Sequence, residues 1–181
     1  MRISITGTPG SGKHSIARQV AEKLKFELID LGTFAKEKGF AIPDEKRHTL
    51  EVNVPKIREL LMDKNDVIFV SNYAELIPAD LVLVIRCHPK ELARRLIERN
   101  YPIDKIKENL EVECIDFCLQ EALNHHQVVG EIDNTENLDE SVQMAIDIID
   151  GKKKAEYGTS NFLEYVDKLD ELIGNERNRK I

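Results

Sequence analysis

Residues 3–13 of this 181-residue chain read Ile-Ser-Ile-Thr-Gly-Thr-Pro-Gly-Ser-Gly-Lys, and the fold follows from this stretch. Its first four residues form a short run rich in β-branched side chains, which favours a strand. A glycine-rich turn follows, and beyond it Ile16, Val20 and Leu24 recur at the spacing of one helix face. The stretch therefore predicts a strand, a loop and a helix in direct succession.

The loop between that strand and that helix matches the G-x-x-x-x-G-K pattern of a phosphate-binding loop, or P-loop. Glycines let backbone N–H groups approach phosphate oxygens without a Cβ in the way, and the N-terminal end of the helix adds its positive dipole. A purely structural glycine turn is the alternative, but the lysine and the flanking elements favour a nucleotide site. The residues predicted to contact the phosphates of ATP are Gly7, Gly10, Ser11, Gly12, Lys13, His14 and Ser15.

The rest of the chain alternates apolar runs of strand length with segments of helical periodicity. The predicted strands are 3–6, 26–29, 67–70, 81–85 and 127–132. The predicted helices are 54–62, 89–99, 104–124, 138–150 and 162–172, with Asn137 as a candidate N-cap of the fourth and Gly151 just past its end. Residues 39–50 are predicted to be a surface loop because they combine glycine, proline and many charges. This alternation predicts an α/β fold with a parallel sheet and right-handed crossovers.

The composition argues against several classes of partner. There are 26 basic and 33 acidic side chains, which leaves a formal charge of −7, whereas nucleic acids and membrane surfaces favour basic proteins. No apolar run reaches the ~18 residues of a membrane span. Tryptophan is absent and 6% of residues are aromatic, so a stacking platform for single strands is not expected. We therefore predict neither membrane association nor strong general binding of nucleic acid.

The cysteines indicate a reducing compartment. The chain has three cysteines, an odd number, and they lack C-x-x-C spacing: Cys87, Cys114 and Cys118. The N-terminal residues enter a predicted strand at once, without a signal-like segment. These features predict a cytoplasmic protein. His125 and His126 follow two of these cysteines and raise the alternative of a zinc site. Because both cysteines lie on the apolar stripe of a predicted helix, we interpret them as core thiols and assign no metal ligands.

His14 departs from the P-loop pattern. It stands where Ser or Thr normally gives a hydroxyl oxygen to Mg²⁺. This ion prefers oxygen ligands, so imidazole is a poor replacement. We expect the Mg²⁺ of a bound nucleotide to be held mainly by phosphates and water, with Ser15 contacting a phosphate. The alternative is that one imperfect ligand matters little, because this ion usually keeps several waters.

Further stretches carry a resemblance to a known family. They are residues 76–86 (Leu-Ile-Pro-Ala-Asp-Leu-Val-Leu-Val-Ile-Arg), 98–101 (Glu-Arg-Asn-Tyr), 105–109 (Lys-Ile-Lys-Glu-Asn) with Glu113, and 121–122 (Glu-Ala) leading to 131–133 (Glu-Ile-Asp). With residues 5–13, they resemble the archaeal and eukaryotic adenylate-kinase-like NTPases implicated in maturation of the small ribosomal subunit. The match covers nearly the whole chain, and the segment around Arg99 with the helix after it makes the match specific.

The resemblance implies a P-loop fold of the nucleoside monophosphate kinase type, with a five-stranded parallel sheet flanked by helices. It implies one kinase-like domain over residues 1–181, in which residues 30–53 bind the monophosphate and residues 98–108 form a lid. It also implies that Arg99 reaches ATP from the lid. A guanidinium at that place can stabilise the charge on transferring phosphoryl oxygens, so Lys13 and Arg99 are the predicted catalytic residues.

Other charged residues are weaker candidates. Asp30 ends the second predicted strand, at the sheet edge where α/β proteins gather ligands, so it either contacts the acceptor or merely starts a turn. Arg86, Arg94 and Arg95 are possible nucleotide contacts, and solvated helix charges are the alternative for them and for Arg99.

A second departure concerns the end of the third predicted strand. The family usually has an acidic residue and a histidine there, two positions apart, and this chain has Val70 and Asn72. Val70 can neither hold Mg²⁺ through water nor orient a nucleophile, and Asn72 cannot act as an acid or a base. In a looser alignment, Asn53 stands where relatives carry Asp. We predict that nucleotide binding is retained while phosphoryl transfer is slow or altered. The alternative is that catalysis tolerates these residues, because positioning and charge supply most of the rate.

The predicted function is phosphoryl transfer from ATP to a nucleoside monophosphate, in the first place AMP, giving two ADP. A hypothesis of another class is an ATP-gated assembly factor that binds a small-subunit ribosomal protein and releases it on slow hydrolysis. The resemblance implies that partner. A P-loop kinase for another small metabolite is the third hypothesis.

Overall fold

A parallel sheet forms the centre of the fold in the computed structural model, which describes residues 1–44 and 49–178. The strands described are, in chain order, β1 (Arg2–Thr6), β2 (Glu27–Asp30), β3 (Ala41–Asp44), β4 (Thr49–Val52), β5 (Val67–Val70), β6 (Leu81–Arg86) and β7 (Val129–Asp133). Five of these described strands pair in parallel in the order β2-β5-β1-β6-β7, so β1 lies in the middle. The predicted five-stranded parallel sheet is confirmed.

Helices cover both faces of this sheet. The α-helices described are α1 (Lys13–Leu24), α2 (Leu31–Glu37), α3 (Val54–Leu61), α4 (Pro89–Glu98), α5 (Ile103–Cys114), α6 (Phe117–His125), α7 (Leu138–Ile149) and α8 (Leu169–Asn178). Helices α1 and α7 share a core cluster with β1, while α6 packs on β6 and β7 and α4, α5 and α8 pack together. Every residue of β5 and β6 is buried, as expected for strands covered on both faces.

The predicted surface loop 39–50 is wrong for most of the residues that the structure describes there. Strands β3 and β4 pair antiparallel, with Ala41 opposite Val52. Residues 45–48 of that prediction lie outside the described residues. This small sheet could not be predicted, because the sequence of its strands has no continuous apolar run. In the structure, Ile42 of β3 is 65% exposed.

The single helix predicted over 104–124 is also wrong. The chain breaks it into α5 and α6 at Ile115 and Asp116, and Asp116 has a φ of 56°. Aspartate tolerates this left-handed conformation better than most residues. The apolar stripe continues across the break, with Cys114 and Cys118 both buried, so periodicity could not reveal it.

Helix ends otherwise lie within a few residues of their predicted positions. The predicted cap of α7 is confirmed, since the Asn137 side chain accepts hydrogen bonds from the N–H groups of Asp139 and Glu140, and Gly151 follows the helix with a φ of 72°. The helix predicted over 162–172 begins instead as a 3-10 turn, Leu163–Lys168, before α8. In the described residues, no helix is both long and apolar enough to span a bilayer.

The segment after α7 returns along the outer strand of the sheet. The backbone N–H of Glu131 in β7 donates to the Glu156 carbonyl at 2.7 Å. The Glu131 carboxylate accepts hydrogen bonds from the N–H groups of Thr159 at 2.9 Å and Ser160 at 3.3 Å. This segment is therefore fastened to β7 by backbone and side chain together.

Candidate functional site

The predicted phosphate loop connects β1 to α1 at the carboxyl end of the central strand. Gly7 has a φ of 141°, and a Cβ on it would lie 2.4 Å from the Ile85 carbonyl oxygen. Gly12 has a φ of 98°, and a Cβ there would lie 2.1 Å from Asn134 Nδ2. Both the conformation and the close approach require glycine at these two positions. The loop thus curves tightly at the N-terminus of α1, where its amides can face an anion.

Two side chains from distant elements hold the loop in place. Asn134, after β7, donates from Nδ2 to the Ser11 carbonyl at 2.8 Å. Arg95 of α4 donates to the same carbonyl at 3.3 Å and to the carbonyls of Asn134 and Thr135 at 2.9 and 3.0 Å. Arg95 is therefore not a solvated helix charge, because it positions the loop, and its suggested contact with a nucleotide stays a prediction. Sequence reasoning did not identify Asn134, although its place after a strand at the ligand-binding edge was a usable signal.

Buried polar atoms beside the loop are left for a ligand. In the described part of the chain, Ser11 Oγ and Asn134 Oδ1 are buried and find no hydrogen-bond partner. Buried polar groups are nearly always paired in native proteins, so orphaned atoms at a loop of this shape indicate a ligand with polar groups. These residues fit a bound nucleotide.

Lys13 extends beneath the loop. Its side chain is 4% exposed, and Nζ donates to the Thr8 carbonyl at 3.3 Å. Burial lowers the pKa of Lys13 to about 8, against the opposing effects of Cys118 and Glu113, and the charge of Arg99 lowers it further. The folded chain therefore holds an ammonium group short of counter-charge, and phosphate oxygens would supply it.

Arg86 has a structural position. Its side chain is 1% exposed, and it donates to Glu113 at 2.8 Å, Glu131 at 2.9 Å and Asp116 at 2.5 Å. Both the suggested nucleotide contact and the solvated charge are thus wrong for Arg86. Glu113 also accepts a hydrogen bond from Thr8 Oγ1, so this buried network reaches the phosphate loop.

Two clefts open beside the loop, on opposite sides of β1 in the sheet order. One, of about 320 Å³, lies towards β6 and β7, and its lining residues are Gly10, Gly12, Ser15, Arg95, Glu98, Arg99, Asn134, Glu136 and Leu138. The other, also of about 320 Å³, lies towards β5 and β2, and its lining residues are His14, Asp30, Gly32, Lys36, Val52, Ser71, Asn72 and Tyr73. The structure thus brings Arg99 to the first cleft, and His14 and Asp30 to the second.

Asp30 starts a helix and also lines the second cleft, while its contact with an acceptor stays a prediction. Its Oδ1 accepts a hydrogen bond from the Thr33 N–H at 2.9 Å and so caps α2. Its Oδ2 lies 3.0 Å from His14 Nε2, inside the second cleft. Burial and the neighbouring Lys13 lower the pKa of His14, while Asp30 opposes them. The imidazole and the carboxylate therefore form a fixed pair beside the phosphate loop.

The donor set beside the loop does not fit a protein-held Mg²⁺. The position after Lys13 presents the His14 imidazole, and Val70 at the end of β5 is apolar and 1% exposed. Glu75 cannot replace the missing carboxylate, because its Oε2 accepts a hydrogen bond from Thr6 Oγ1 at 2.5 Å and burial raises its pKa. Asn72 is exposed in the cleft, with an amide in place of an ionisable group.

The loop, the buried lysine and the sheet order define a P-loop nucleotide-binding protein with the fold of small kinases. A family profile described as "AAA domain" matches residues 3–116. Similar chains include a protein of Pyrococcus furiosus named "Putative adenylate kinase", 45% identical over 145 residues (78% of this chain, 79% of that one), and one of Pyrococcus abyssi with the same name, 38% identical over 174 residues (93% and 95%). The chain belongs to this adenylate-kinase-like family.

Solved structures agree on the fold. A deoxyadenosine kinase from M. mycoides superposes with a TM-score of 0.57 at 15% identity, covering 84% of this chain and 100% of that one. A shikimate kinase from Bacteroides thetaiotaomicron gives a TM-score of 0.50 at 21% identity, covering 83% and 98%. The predicted fold class, a P-loop α/β kinase fold, is confirmed.

Proposed function

We propose that the protein transfers a phosphoryl group from ATP to a nucleoside monophosphate, with AMP as the first candidate, and so forms two molecules of ADP. The observation that carries this proposal is the pair of clefts on either side of the phosphate loop. A phosphoryl transfer needs donor and acceptor on opposite sides of the transferred group, roughly in line. One cleft adjoins Arg99 and the other adjoins Asp30, which gives each nucleotide its own place.

In this proposal the loop from Gly7 to Ser15 binds the donor phosphates through backbone N–H groups. Lys13 and Arg99 balance the charge that spreads over the phosphoryl oxygens. Arg99 is exposed at the C-terminal end of α4, so it can move towards the donor as the segment 98–108 closes and excludes water. The acceptor lies over residues 30–53, where Lys36 offers a positive charge to its phosphate.

We expect this transfer to be slow. His14, Val70 and Asn72 remove the oxygen and acidic groups that relatives use at these positions. Binding is expected to persist, because the loop, its lysine and its orphaned polar atoms are all in place. Members of P-loop kinase families typically work with ATP and Mg²⁺, so the weakened metal position is expected to lower the rate rather than the affinity.

Turnover tests the proposal directly. ADP formation is measured with ATP alone and with ATP plus each nucleoside monophosphate. AMP is expected to increase ADP formation, and Arg99→Met is expected to reduce it. Arg94→Met is the matched control, because Arg94 is an exposed arginine of the same helix bound to Glu91 and Glu98. If no monophosphate increases ADP formation, the kinase proposal is wrong.

A second candidate is an ATP-gated assembly factor for the small ribosomal subunit. This candidate is supported by His14, Val70 and Asn72, which lack the oxygen and acidic groups that would hold Mg²⁺ and orient a nucleophile. ATP hydrolysis at such a site would be slow, as expected of a switch rather than of a fast enzyme. The partner would be a small-subunit ribosomal protein, and the free thiols of the three buried cysteines support a cytoplasmic location. A pull-down from cell extract, with and without ATP, is expected to recover a ribosomal protein in a nucleotide-dependent amount. Recovery of none would contradict this candidate.

A further inference from the structure

The kinase proposal uses His14 as part of the phosphate loop and Asp30 as part of the acceptor cleft, but it assigns no role to the contact between them. His14 Nε2 and Asp30 Oδ2 lie 3.0 Å apart. The side chains are 52% and 38% exposed, so both remain accessible from the cleft. The carboxylate is oriented by its other oxygen, which caps α2. A metal-ligating group held by such a secondary hydrogen bond is typical of metal sites in proteins.

The separation of the two atoms suits a shared metal ion. In this structure the 3.0 Å contact is a hydrogen bond between imidazole and carboxylate. Two ligands at about 2.1 Å from an octahedral metal and at right angles to one another also lie about 3.0 Å apart, so a metal would replace the shared proton with little movement of either side chain. An imidazole nitrogen with a carboxylate oxygen is a donor set for borderline divalent metals such as Co²⁺, Ni²⁺ and Zn²⁺, and affinity for such sites rises along the first transition row. Mg²⁺ is disfavoured by the same nitrogen.

The charges around the pair would make any metal bound there depend on the nucleotide. Lys13 and Arg18 lie on the same helix as His14, and Lys36 lines the same cleft. In the described residues there is no group of three or more His, Cys, Asp or Glu side chains that could hold a metal alone. Positive surroundings and only two protein ligands disfavour a bare cation. The oxygens of a triphosphate at the adjoining loop would supply both the missing ligands and the negative charge.

We propose that His14 and Asp30 bind a borderline divalent metal together with the phosphates of a nucleotide, in place of the Mg²⁺ that relatives use. The inference rests on the nucleotide binding of the proposed function. It predicts a metal preference that a hydroxyl at position 14 would reverse.

Cobalt spectroscopy tests this inference without relying on turnover. The protein is mixed with Co²⁺ and a non-hydrolysable ATP analogue, and the visible absorption of the ion is recorded. Wild type is expected to give bands of nitrogen-ligated cobalt only when the nucleotide is present. His14→Thr is expected to lose them, with at least a roughly 10-fold weaker affinity for Co²⁺ and a gain in preference for Mg²⁺. Asp30→Asn, which keeps the cap of α2, is expected to weaken them.

His125→Thr is the matched control. His125 lies 4.0 Å from Glu121 on α6, and it is similarly exposed but away from the loop. This variant is expected to leave the cobalt spectrum unchanged. Nucleotide binding is followed separately by displacement of a fluorescent analogue, which also reports whether each variant folds.

The outcomes separate the two proposals. If the nucleotide binds while wild type and His14→Thr give the same cobalt spectrum, or if Mg²⁺ displaces Co²⁺ equally from both, the metal inference is overturned and the kinase proposal stands. If wild type binds no nucleotide, both are overturned.

Discussion

The ammonium group of Lys13 is buried beneath the phosphate loop, in a place where the folded chain alone does not satisfy it. Its lowered pKa has burial as the main cause, so the charged form is less favourable there than in water. Burial of this charge therefore does not favour stability, which fits the predicted role of Lys13 in binding phosphate. This arrangement is typical of functional sites, where stability and activity oppose each other.

Lys13→Met is therefore expected to increase thermal stability and to decrease nucleotide affinity. Without nucleotide, it should raise the melting temperature, because it removes a desolvated charge. With nucleotide, it should weaken binding by about 10- to 100-fold, the loss of a charged hydrogen bond. Thermal unfolding and nucleotide displacement check the two effects. Lys23→Met, at an exposed lysine of α1, is the control; a Lys13→Met protein that binds nucleotide as wild type does would contradict the predicted role.

Glu75 gives a pH-dependent prediction. Burial raises the pKa of its carboxyl, and Glu121 of α6 raises it further, while the hydrogen bond from Thr6 and the nearby His125 oppose the rise. The folded state thus binds this proton more strongly than the unfolded state, so the contribution of Glu75 to stability is lost as pH rises through the raised pKa.

Glu75→Gln retains a hydrogen-bond acceptor for Thr6 and removes the charge. Its melting temperature is expected to exceed that of wild type at pH 8, with a smaller difference at pH 4, where the carboxyl of wild type is protonated. Thermal unfolding at the two pH values measures this. An equal difference at both would show that the buried charge is not the cause.

At the scale of elements, Arg86 joins β6 to the break between α5 and α6 and to β7. Arg86→Met would leave Glu113 and Glu131 buried without their partner, and is expected to cost about 3–5 kcal/mol of unfolding free energy. Arg94→Met removes surface pairs with Glu91 and Glu98 and is expected to cost at most about 1 kcal/mol. Urea unfolding compares the two. Similar losses for both variants would contradict a special role for the buried network.

The sequence predicts those elements that are determined by residues close to one another in the chain. The phosphate loop, the buried strands β5 and β6 and the cap of α7 each depend on neighbouring residues, so spacing and residue type predict them. The break at Asp116 was missed because its ion pair with Arg86 is formed by residues 30 positions apart. The pairing of β3 with β4 was missed because the sequence of these two strands has no continuous apolar run.

The candidate site divides in the same way. Gly7 to Ser15 and Asp30 could be placed from sequence, because the ends of parallel strands gather at one edge. Asn134 also follows a strand at this edge and could have been noted as a site residue, but its hydrogen bond to Ser11 could not be predicted, because the two residues are 123 positions apart. The pairing of His14 with Asp30 likewise depends on how β2 lies beside the loop, which only the folded chain specifies.

At the scale of the whole molecule, the presence of two clefts leads us to expect that two nucleotides stabilise the folded chain independently. A ligand present at about 100 times its Kd stabilises the folded state by about 2.7 kcal/mol. For a chain of this size, that corresponds to a rise of roughly 5–10 °C in melting temperature. An ATP analogue and AMP are each expected to raise the melting temperature, and together to raise it further, because the proposed function assigns them to different clefts. Thermal unfolding with each ligand and with both checks this; simple competition between them would contradict two sites.

The return of the chain along β7 has a consequence for behaviour at high concentration. A rim strand normally offers unpaired backbone groups on which a second molecule can add a strand of its own, the first step of many aggregates. Here the backbone N–H of Glu131 already donates a hydrogen bond to the Glu156 carbonyl. The Glu131 carboxylate accepts hydrogen bonds from the backbone N–H groups of Thr159 and Ser160. The segment 156–160 thereby covers the edge strand of the sheet and protects it from pairing with another molecule. Glu131→Ala is expected to aggregate at a lower temperature than wild type, measured as light scattering of concentrated solutions during mild heating.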